Sequence, residues 1–242
     1  MRIAVLRDYQ SLSERAAALV SARIGKKPTA VLGLATGSTP LGLYRELVKA
    51  AQRGLVDFSG VTTFNLDEYY PIERESPQSY YYYMQQHFWG PLGICPGRAH
   101  IPDGRAGDIA GVCSDYEQKI MDAGGIDLQI LGIGVNGHIG FNEPGAALSA
   151  KTHLASLSAE TIAANSRFFE DRDAVPRRAI SMGLGTIMKA REILLLASGS
   201  EKARAIGETV RGKLTTEVPA SLLQAHPRVT VMVDRAAACC LR

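Results

Sequence analysis

Residues 131–145, LGIGVNGHIGFNEPG, carry the densest group of chemically reactive side chains in the sequence. Within this segment an amide, an imidazole and a carboxylate, at Asn136, His138 and Glu143, are separated by glycines. Glycine permits positive φ and a close approach of the backbone to a ligand. An apolar run of strand length precedes the segment, and in open α/β sheets ligands bind beyond the carboxyl ends of the strands. We therefore interpret this loop as the reaction centre.

Asp67 is a second candidate for acid–base chemistry. It follows residues 61–66, VTTFNL, whose β-branched side chains are typical of a strand. Paired acids such as Asp67 and Glu68 are often exposed charges of a loop, whereas the alternative is a carboxylate base that faces the same crevice as His138. At this point both interpretations are open.

A third loop has the composition of an anion site. Residues 35–40, ATGSTP, lie between an apolar run and a helical pattern, and the N–H groups and dipole of a helix N-terminus favour an anion. The loop lacks the spacing of a Walker or GxGxxG loop. A turn capped by Ser38 or Thr39, with Pro40 in the first helical position, is an equally good interpretation. The residues that would contact an anion are Thr36, Gly37, Ser38 and Thr39.

Residues 198–202, SGSEK, repeat this order of strand, small loop and helix. Here Lys202 would lie in the first helical turn, where the helix dipole disfavours a positive charge. A nearby anion would explain the lysine, and a side chain that extends to solvent is the alternative.

The elements that would position these loops alternate along the chain. Apolar runs of strand length recur at residues 3–6, 29–34, 61–66, 126–131, 191–197 and 229–233. Helical patterns separate most of them. The first of these helices is expected at 11–23, with Ser11 as its cap. Continuously apolar strands are typical of a parallel sheet that is covered on both faces. We predict one α/β domain over residues 1–242, a three-layer Rossmann-like sandwich with a mostly parallel central sheet. The polar loops would then share one edge of the sheet.

Three stretches are harder to interpret. Residues 146–157 show no clear periodicity, residues 179–182 are of strand character, and the tyrosines at 80–83 cannot all face one side of a helix. We expect one or two of these tyrosines to contact the pocket and the others to pack against neighbouring elements.

The composition excludes several classes of protein. With 46% hydrophobic residues, 21% charged residues and a net charge of +3 from scattered basic residues, the chain is typical of a globular protein and does not imply nucleic-acid binding. The sequence contains no run of about 18 apolar residues, which is the length that a membrane-spanning helix needs. The four cysteines lack zinc spacing, and no HExxH pattern is present. We predict a cytoplasmic protein that binds a small molecule and has no metal site.

Five segments together resemble the glucosamine-6-phosphate deaminase family. They are LGLATGSTP at 32–40, TFNLDEYY at 63–70, the loop at 131–145, ANSRFF at 164–169 and GSEKA at 199–203. They occur in the same order as in the family and extend over nearly the whole chain. The resemblance implies isomerisation and deamination of glucosamine 6-phosphate to fructose 6-phosphate and ammonia.

The resemblance also implies roles for the candidate residues. Asp67 would move a proton from C2 to C1 of the opened sugar through an enolamine. His138 would open the sugar ring, oriented by Glu143 and assisted by Asn136. The phosphate would be bound by Thr36, Gly37, Ser38, Thr39, Arg167 and Lys202. A carboxylate can transfer a proton between adjacent carbons without a cofactor, provided that water is excluded.

The chain departs from the family pattern in two places. Asn136 stands where many members have aspartate, and an amide can only orient His138 or bind a hydroxyl group, since it cannot take up a proton. His153 and Ala155 stand where hexameric members regulated by N-acetylglucosamine 6-phosphate carry Arg and Lys, and the extended C-terminal tail of those enzymes is missing. We therefore expect no such allosteric site and a monomer or small homo-oligomer.

Two other functions compete with this interpretation. A 6-phosphogluconolactonase resembles the same fold, but lactone hydrolysis needs an activated water and no base at C2, so Asp67 favours the deaminase. A non-catalytic sensor of sugar phosphates would usually carry a DNA-binding module, and no residues are left over to form one. The joint presence of Asp67, His138 and Glu143 also favours catalysis.

Overall fold

The computed structural model describes residues 1–169, 171 and 174–241. Their strands are β1 (Arg2–Leu6), β2 (Val31–Leu34), β3 (Thr62–Asn65), β4 (Asp67–Tyr70), β5 (Ala99–His100), β6 (Leu128–Leu131), β7 (His153–Ser156), β8 (Arg178–Ser181), β9 (Ile193–Ala197) and β10 (Val229–Asp234). Their α-helices are α1 (Tyr9–Lys26), α2 (Ser38–Gln52), α3 (Tyr80–Met84), α4 (Gly90–Leu92), α5 (Ile109–Asp122), α6 (Ala159–Asn165), α7 (Leu184–Met188) and α8 (Ala203–Arg211). Among the described residues, no helix combines the length and the apolar character that a membrane span needs.

The central sheet consists of seven parallel strands in the order β1-β10-β9-β6-β2-β3-β5. Strands β2, β6 and β9 are buried along their whole length, and the sequence of β9 is continuously apolar. One face packs on a hydrophobic layer that includes α1 and α2, and the other on a layer that includes α5, α7 and α8. The predicted α/β sandwich with a mostly parallel central sheet is confirmed.

The order of the strands reverses between β2 and β6. From β2 the chain proceeds outward through β3 to β5, and it returns to place β6 on the other side of β2, with Gly33 opposite Gln129. At such a switch point the loops that leave the two strands diverge and open a crevice at the carboxyl edge. These are the loops of residues 35–40 and 131–145, so two of the predicted polar loops flank the crevice.

A second, antiparallel sheet has the order β4-β8-β7, and the sequence did not indicate it. Asp67 begins β4, pairs with Ser181 and is buried, so of the two interpretations left open by the sequence, that of an exposed loop charge is wrong. Residues 153–156 form β7 within the stretch that shows no periodicity, and only one of its four residues is buried. Strands this short give too few alternations for a pattern to be recognised. The predicted strand at 179–182 forms β8 of this sheet.

Two helices begin before their predicted starts. Asp8, and not Ser11, caps α1, since its Oδ1 accepts the N–H of Ser11 at 2.8 Å. Gly37 is the N-cap of α2 with a φ of 101°, and the side-chain cap predicted at Ser38 or Thr39 is wrong. Because glycine adopts this φ without strain, the chain turns directly from the end of β2 into the helix.

Candidate active site

A cavity of about 570 Å³ opens at the carboxyl edge of the central sheet, in the crevice between the loops after β2 and β6. Eight predicted site residues line it: Thr36, Gly37, Ser38, Thr39, Asp67, His138, Arg167 and Lys202. The two others, Asn136 and Glu143, contact His138 from outside the cavity wall. The structure thus brings all the predicted site residues to one place.

Asp67 reaches the cavity from β4 with only 6% of its surface exposed. Burial, and then the charge of the neighbouring Glu68, raise its pKa to about 8. Hydrogen bonds to the anion would lower the pKa of a carboxyl group, but within the described part of the chain no donor reaches the Asp67 carboxylate. Asp67 therefore holds a proton more tightly than an ordinary aspartate, a property that suits a general base.

Glu68 is the next residue of β4, and adjacent residues of a strand point to opposite faces. Its carboxylate is 2% exposed and accepts the backbone N–H groups of Tyr69, Tyr80 and Tyr81 at 2.9, 2.9 and 2.8 Å. Burial raises its pKa to about 7, although these three hydrogen bonds act against the shift. Glu68 thereby fixes the start of α3, which places Tyr80 in the wall of the cavity.

Asn136 orients His138. The imidazole Nδ1 lies 2.7 Å from Asn136 Oδ1 and 3.4 Å from Glu143 Oε2. The same Asn136 oxygen accepts the backbone N–H of His138 at 3.2 Å, and the Asn136 amide nitrogen donates to Glu143 Oε2 at 2.9 Å. Because a backbone N–H only donates and a carboxylate only accepts, this orientation of the amide requires the imidazole hydrogen on Nδ1. Nε2 is then the basic nitrogen of the neutral ring.

The two carboxylate oxygens of Glu143 contact different parts of the molecule. Oε2 contacts Asn136 and His138, whereas Oε1 accepts the hydroxyl of Thr161, in α6, at 2.5 Å. Burial by itself raises the pKa of this carboxyl group, but its interactions with His138, Thr161 and Asn136 outweigh burial and lower the pKa to about 2. Glu143 is therefore an anion at neutral pH. We call His138, Asn136 and Glu143 the acid–base relay.

The ring of His138 lies directly on the backbone of Gly134. A β-carbon at position 134 would overlap with Cε1 and Nδ1 of the imidazole. This close approach explains why the loop after β6 has a glycine at this position.

Two cationic side chains line the same cavity. Lys202 follows the loop after β9, and its pKa is lowered by burial and by the charge of Arg167, while Glu201 acts in the opposite direction. The influence of Arg167 shows that the two positive charges lie near one another. An anion between them would relieve their repulsion, so this part of the cavity suits a phosphate group.

Hydrogen bonds to distant residues set the positions of the two loops that complete this part of the cavity. Tyr9 Oη accepts the N–H of Gly42 and donates to the carbonyl of Ser38, both at 2.7 Å. At the other loop the Asp234 carboxylate accepts the hydroxyl of Ser198 at 2.6 Å and the N–H of Gly199 at 3.1 Å. Each loop is therefore held by a residue that is distant in the sequence.

A sequence model of the glucosamine-6-phosphate isomerases/6-phosphogluconolactonase family matches residues 8–232. The chain belongs to this family. It is 59% identical over 238 residues to the glucosamine-6-phosphate deaminase of Halothermothrix orenii, covering 98% of this chain and 99% of that one. It is 53% identical to the glucosamine-6-phosphate deaminase of Thermoanaerobacter pseudethanolicus, with 98% and 94% covered. The family resemblance of the five sequence segments is thus confirmed.

Solved structures of both branches of the family have this fold. A monomeric glucosamine-6-phosphate deaminase superposes with a TM-score of 0.96 at 44% identity, covering 98% of this chain and 99% of that one. The 6-phosphogluconolactonase of Trypanosoma brucei superposes with a TM-score of 0.80 at 19% identity, covering 98% and 97%. At that identity the lactonase shares the fold alone, whereas the similarity to the deaminases extends to the sequence.

The structure adds residues that the sequence did not single out. Thr161 contacts the acid–base relay, Asn165 lines the cavity, and Tyr9 and Asp234 hold its loops. Of the four tyrosines at 80–83, the cavity is lined by Tyr80. The helical pattern of residues 159–169 predicts the start of α6, which Ser158 caps. Nothing in the sequence indicates that Thr161 faces Glu143.

Proposed function

We propose that this chain converts glucosamine 6-phosphate to fructose 6-phosphate and ammonia, with Asp67 as the base that acts on the carbon chain. The observation that carries the proposal is the joint arrangement in one cavity. A desolvated carboxylate, an oriented imidazole and two cationic side chains line the same cavity. The high identity to deaminases, against a shared fold alone with the lactonases, supports the same reaction.

The phosphate group would lie against the start of α2, Lys202 and Arg167. The N-cap of α2 is glycine, so its backbone N–H groups can approach a ligand closely. An anion bound beside Lys202 would favour the charged form of the lysine, whose pKa burial and the charge of Arg167 lower. This contact would anchor the sugar with its other end toward Asp67 and His138.

His138 would open the pyranose ring. With the hydrogen on Nδ1 held by Asn136, Nε2 can take the proton of the anomeric hydroxyl group and return a proton to the ring oxygen. The positive imidazolium that exists between these steps is stabilised by the Glu143 anion at 3.4 Å. Asn136 holds the imidazole of His138 in this orientation and does not itself take up a proton.

Asp67 would then act on the open-chain sugar. It removes the proton from C2 while O1 takes up a proton, which gives an enolamine. It then returns its proton to C1 while the amino group releases one, which gives an imine at C2 and a hydroxyl group at C1. Water adds to C2 and ammonia leaves, so the products are fructose 6-phosphate and ammonia. A pKa of about 8 makes Asp67 a stronger base than an ordinary carboxylate, and the proton that it holds between the two steps is protected from exchange by burial.

Product analysis tests the reaction itself. We expect purified wild-type protein to release ammonia and fructose 6-phosphate from glucosamine 6-phosphate in equal amounts. Hydrolysis of 6-phosphogluconolactone without ammonia release from the amino sugar would contradict the proposal and favour the other branch of the family. Binding of the sugar phosphate without turnover of either substrate would favour a sensor.

A pair of lysine variants tests the phosphate site. Lys202→Met should raise KM for glucosamine 6-phosphate by about tenfold or more, since a charge-assisted hydrogen bond to phosphate is lost. The exposed Lys213 lies outside the cavity lining and supplies the matched control, Lys213→Met. Equal KM values for the two variants would contradict the assignment.

We further propose that the enzyme is a monomer without an allosteric site for N-acetylglucosamine 6-phosphate. The solved relative at 44% identity is described as monomeric, which supports the first part. Gel filtration should give the mass of one chain, and substrate saturation should be hyperbolic with and without the N-acetyl sugar phosphate. A hexamer, or sigmoidal kinetics that the effector abolishes, would contradict this proposal.

A further inference from the structure

The first turn of α6 contacts the carboxylate that supports His138. Thr161 is 4% exposed, and its hydroxyl donates to Glu143 Oε1 at 2.5 Å. The backbone N–H of Ser158 makes a longer contact with the same oxygen, at 3.4 Å. Since Oε2 accepts from Asn136, the carboxylate is held on one side by the relay and on the other by α6.

The donor that α6 provides is itself fixed in place. Ser158 caps the helix, and its Oγ accepts the N–H of Thr161 at 3.1 Å. A threonine in a helix has two preferred χ1 rotamers, and the 2.5 Å contact with Glu143 selects one of them. The hydroxyl hydrogen of Thr161 is directed at Glu143, because a carboxylate anion can only accept. Without this donor the Glu143 carboxylate could rotate and weaken its contact with Asn136.

We propose that Thr161 is a positioning residue of the acid–base relay, which fixes Glu143 and through it holds Asn136 and His138 in the orientation for ring opening. The inference rests on the proposed function of the site. Thr161 Oγ1 also lies 3.4 Å from His138 Nδ1, but its hydroxyl hydrogen goes to Glu143 in the much shorter contact of 2.5 Å. Thr161 therefore supports the relay mainly through Glu143 and is not itself a catalytic residue.

Three variants distinguish the effect of losing the Thr161 hydroxyl group from the effect of weakening α6. Thr161→Val keeps the shape of the side chain and removes the donor, and we expect kcat to fall about tenfold or more with KM changed less than about threefold, because a small displacement of catalytic groups is costly. Thr161→Ser restores the donor and should recover most of kcat. Ala163→Gly is the matched control, since Ala163 is exposed in the same helix and glycine weakens a helix without touching Glu143. Its kcat should stay within about twofold of the wild type.

A double-mutant cycle identifies the residue through which Thr161 acts. In a Glu143→Gln background, Thr161→Val should lower kcat by less than about twofold, because residues that act as one unit are not additive. A full, independent loss in that background would overturn the proposal. So would equal losses in Thr161→Val and Ala163→Gly, or no recovery in Thr161→Ser. These outcomes presuppose wild-type ammonia release; if the wild type releases none, the proposed function itself fails.

Discussion

The pKa values of the two carboxyl groups of the site, Asp67 and Glu143, are shifted in opposite directions. Both are largely buried, but Asp67 has a charged neighbour of the same sign and no donor among the described residues, and its pKa is raised to about 8. Glu143 accepts from Thr161 and Asn136 beside His138, and its pKa is lowered to about 2. Burial alone would shift both groups upward. The difference therefore comes from hydrogen bonds and neighbouring charges. It is consistent with the roles that we propose, proton transfer for Asp67 and a lasting negative charge for Glu143.

The largest expected effect is that of Asp67→Asn on turnover. The amide cannot take the C2 proton, so we expect kcat for ammonia release to fall by about 10²- to 10⁴-fold, the scale of general-base catalysis. Calorimetry should show that the variant still binds the sugar phosphate. The exposed Asp57 supplies the control: Asp57→Asn should keep full activity. Turnover of Asp67→Asn within tenfold of the wild type would refute the role of the base.

Glu143→Gln should have a smaller effect on kcat, about 10- to 100-fold. The imidazolium loses its anion, but Asn136 still accepts from Nδ1 and keeps the tautomer, so part of the orientation survives. Steady-state rates of ammonia release measure the loss. A loss as large as that of Asp67→Asn would show that the two carboxylates are not divided as we infer.

The pH dependence of kcat/KM reports the base in the free enzyme. Asp67 must lose its proton to act, so kcat/KM should fall about tenfold per pH unit below its apparent pKa. With pKa values near 8 for Asp67 and near 7 for Glu68, this fall on the acidic side of the pH profile should begin well above pH 5. The two groups are neighbours, so the apparent value belongs to the pair. A fall that begins near pH 4 would show an ordinary aspartate at this position.

The smallest expected effects are on stability, and they have opposite signs. The folded-state pKa of Asp67 is above its unfolded value, so this group destabilises the fold increasingly as pH rises from about 4 to about 8. The folded-state pKa of Glu143 is below its unfolded value, so its contribution is complete above about pH 4.5 and is lost as pH falls toward 2. At pH 8, Asp67→Asn should raise Tm by about 2–4 °C and Glu143→Gln should lower it by a similar amount. Scanning calorimetry distinguishes these signs, and a decrease in both variants would refute the comparison.

The sequence predicts the centre of the main sheet because β2, β6 and β9 are buried on both faces. Continuous apolar runs such as residues 193–197 are recognisable without any knowledge of their neighbours, and the loops after them follow directly. The small sheet was missed because β4 and β7 are four residues long and partly exposed or polar. Their strand character depends on pairing with β8, a long-range contact that local sequence does not contain.

The candidate site, like the fold, is only partly predictable from the sequence. His138, Asn136 and Glu143 lie in one short loop, so their proximity is readable from the sequence. The sequence does not tell that Asn136 lies closer to the imidazole than Glu143, which depends on side-chain rotation. Nor does it tell that Thr161, 18 positions away, completes the contacts of Glu143. Burial of Asp67, which decides between a base and an exposed loop charge, is likewise a tertiary property.

The packing of His138 on Gly134 has a consequence for how this loop can evolve. Every mutation of a glycine codon to another amino acid adds at least a methyl group, and the imidazole occupies the space that this group would need. Position 134 is therefore closed to substitution as long as the histidine stays where it is. Conversely, a lineage that lost His138 would be released to vary at 134, so descendants should keep or lose the glycine and the histidine together.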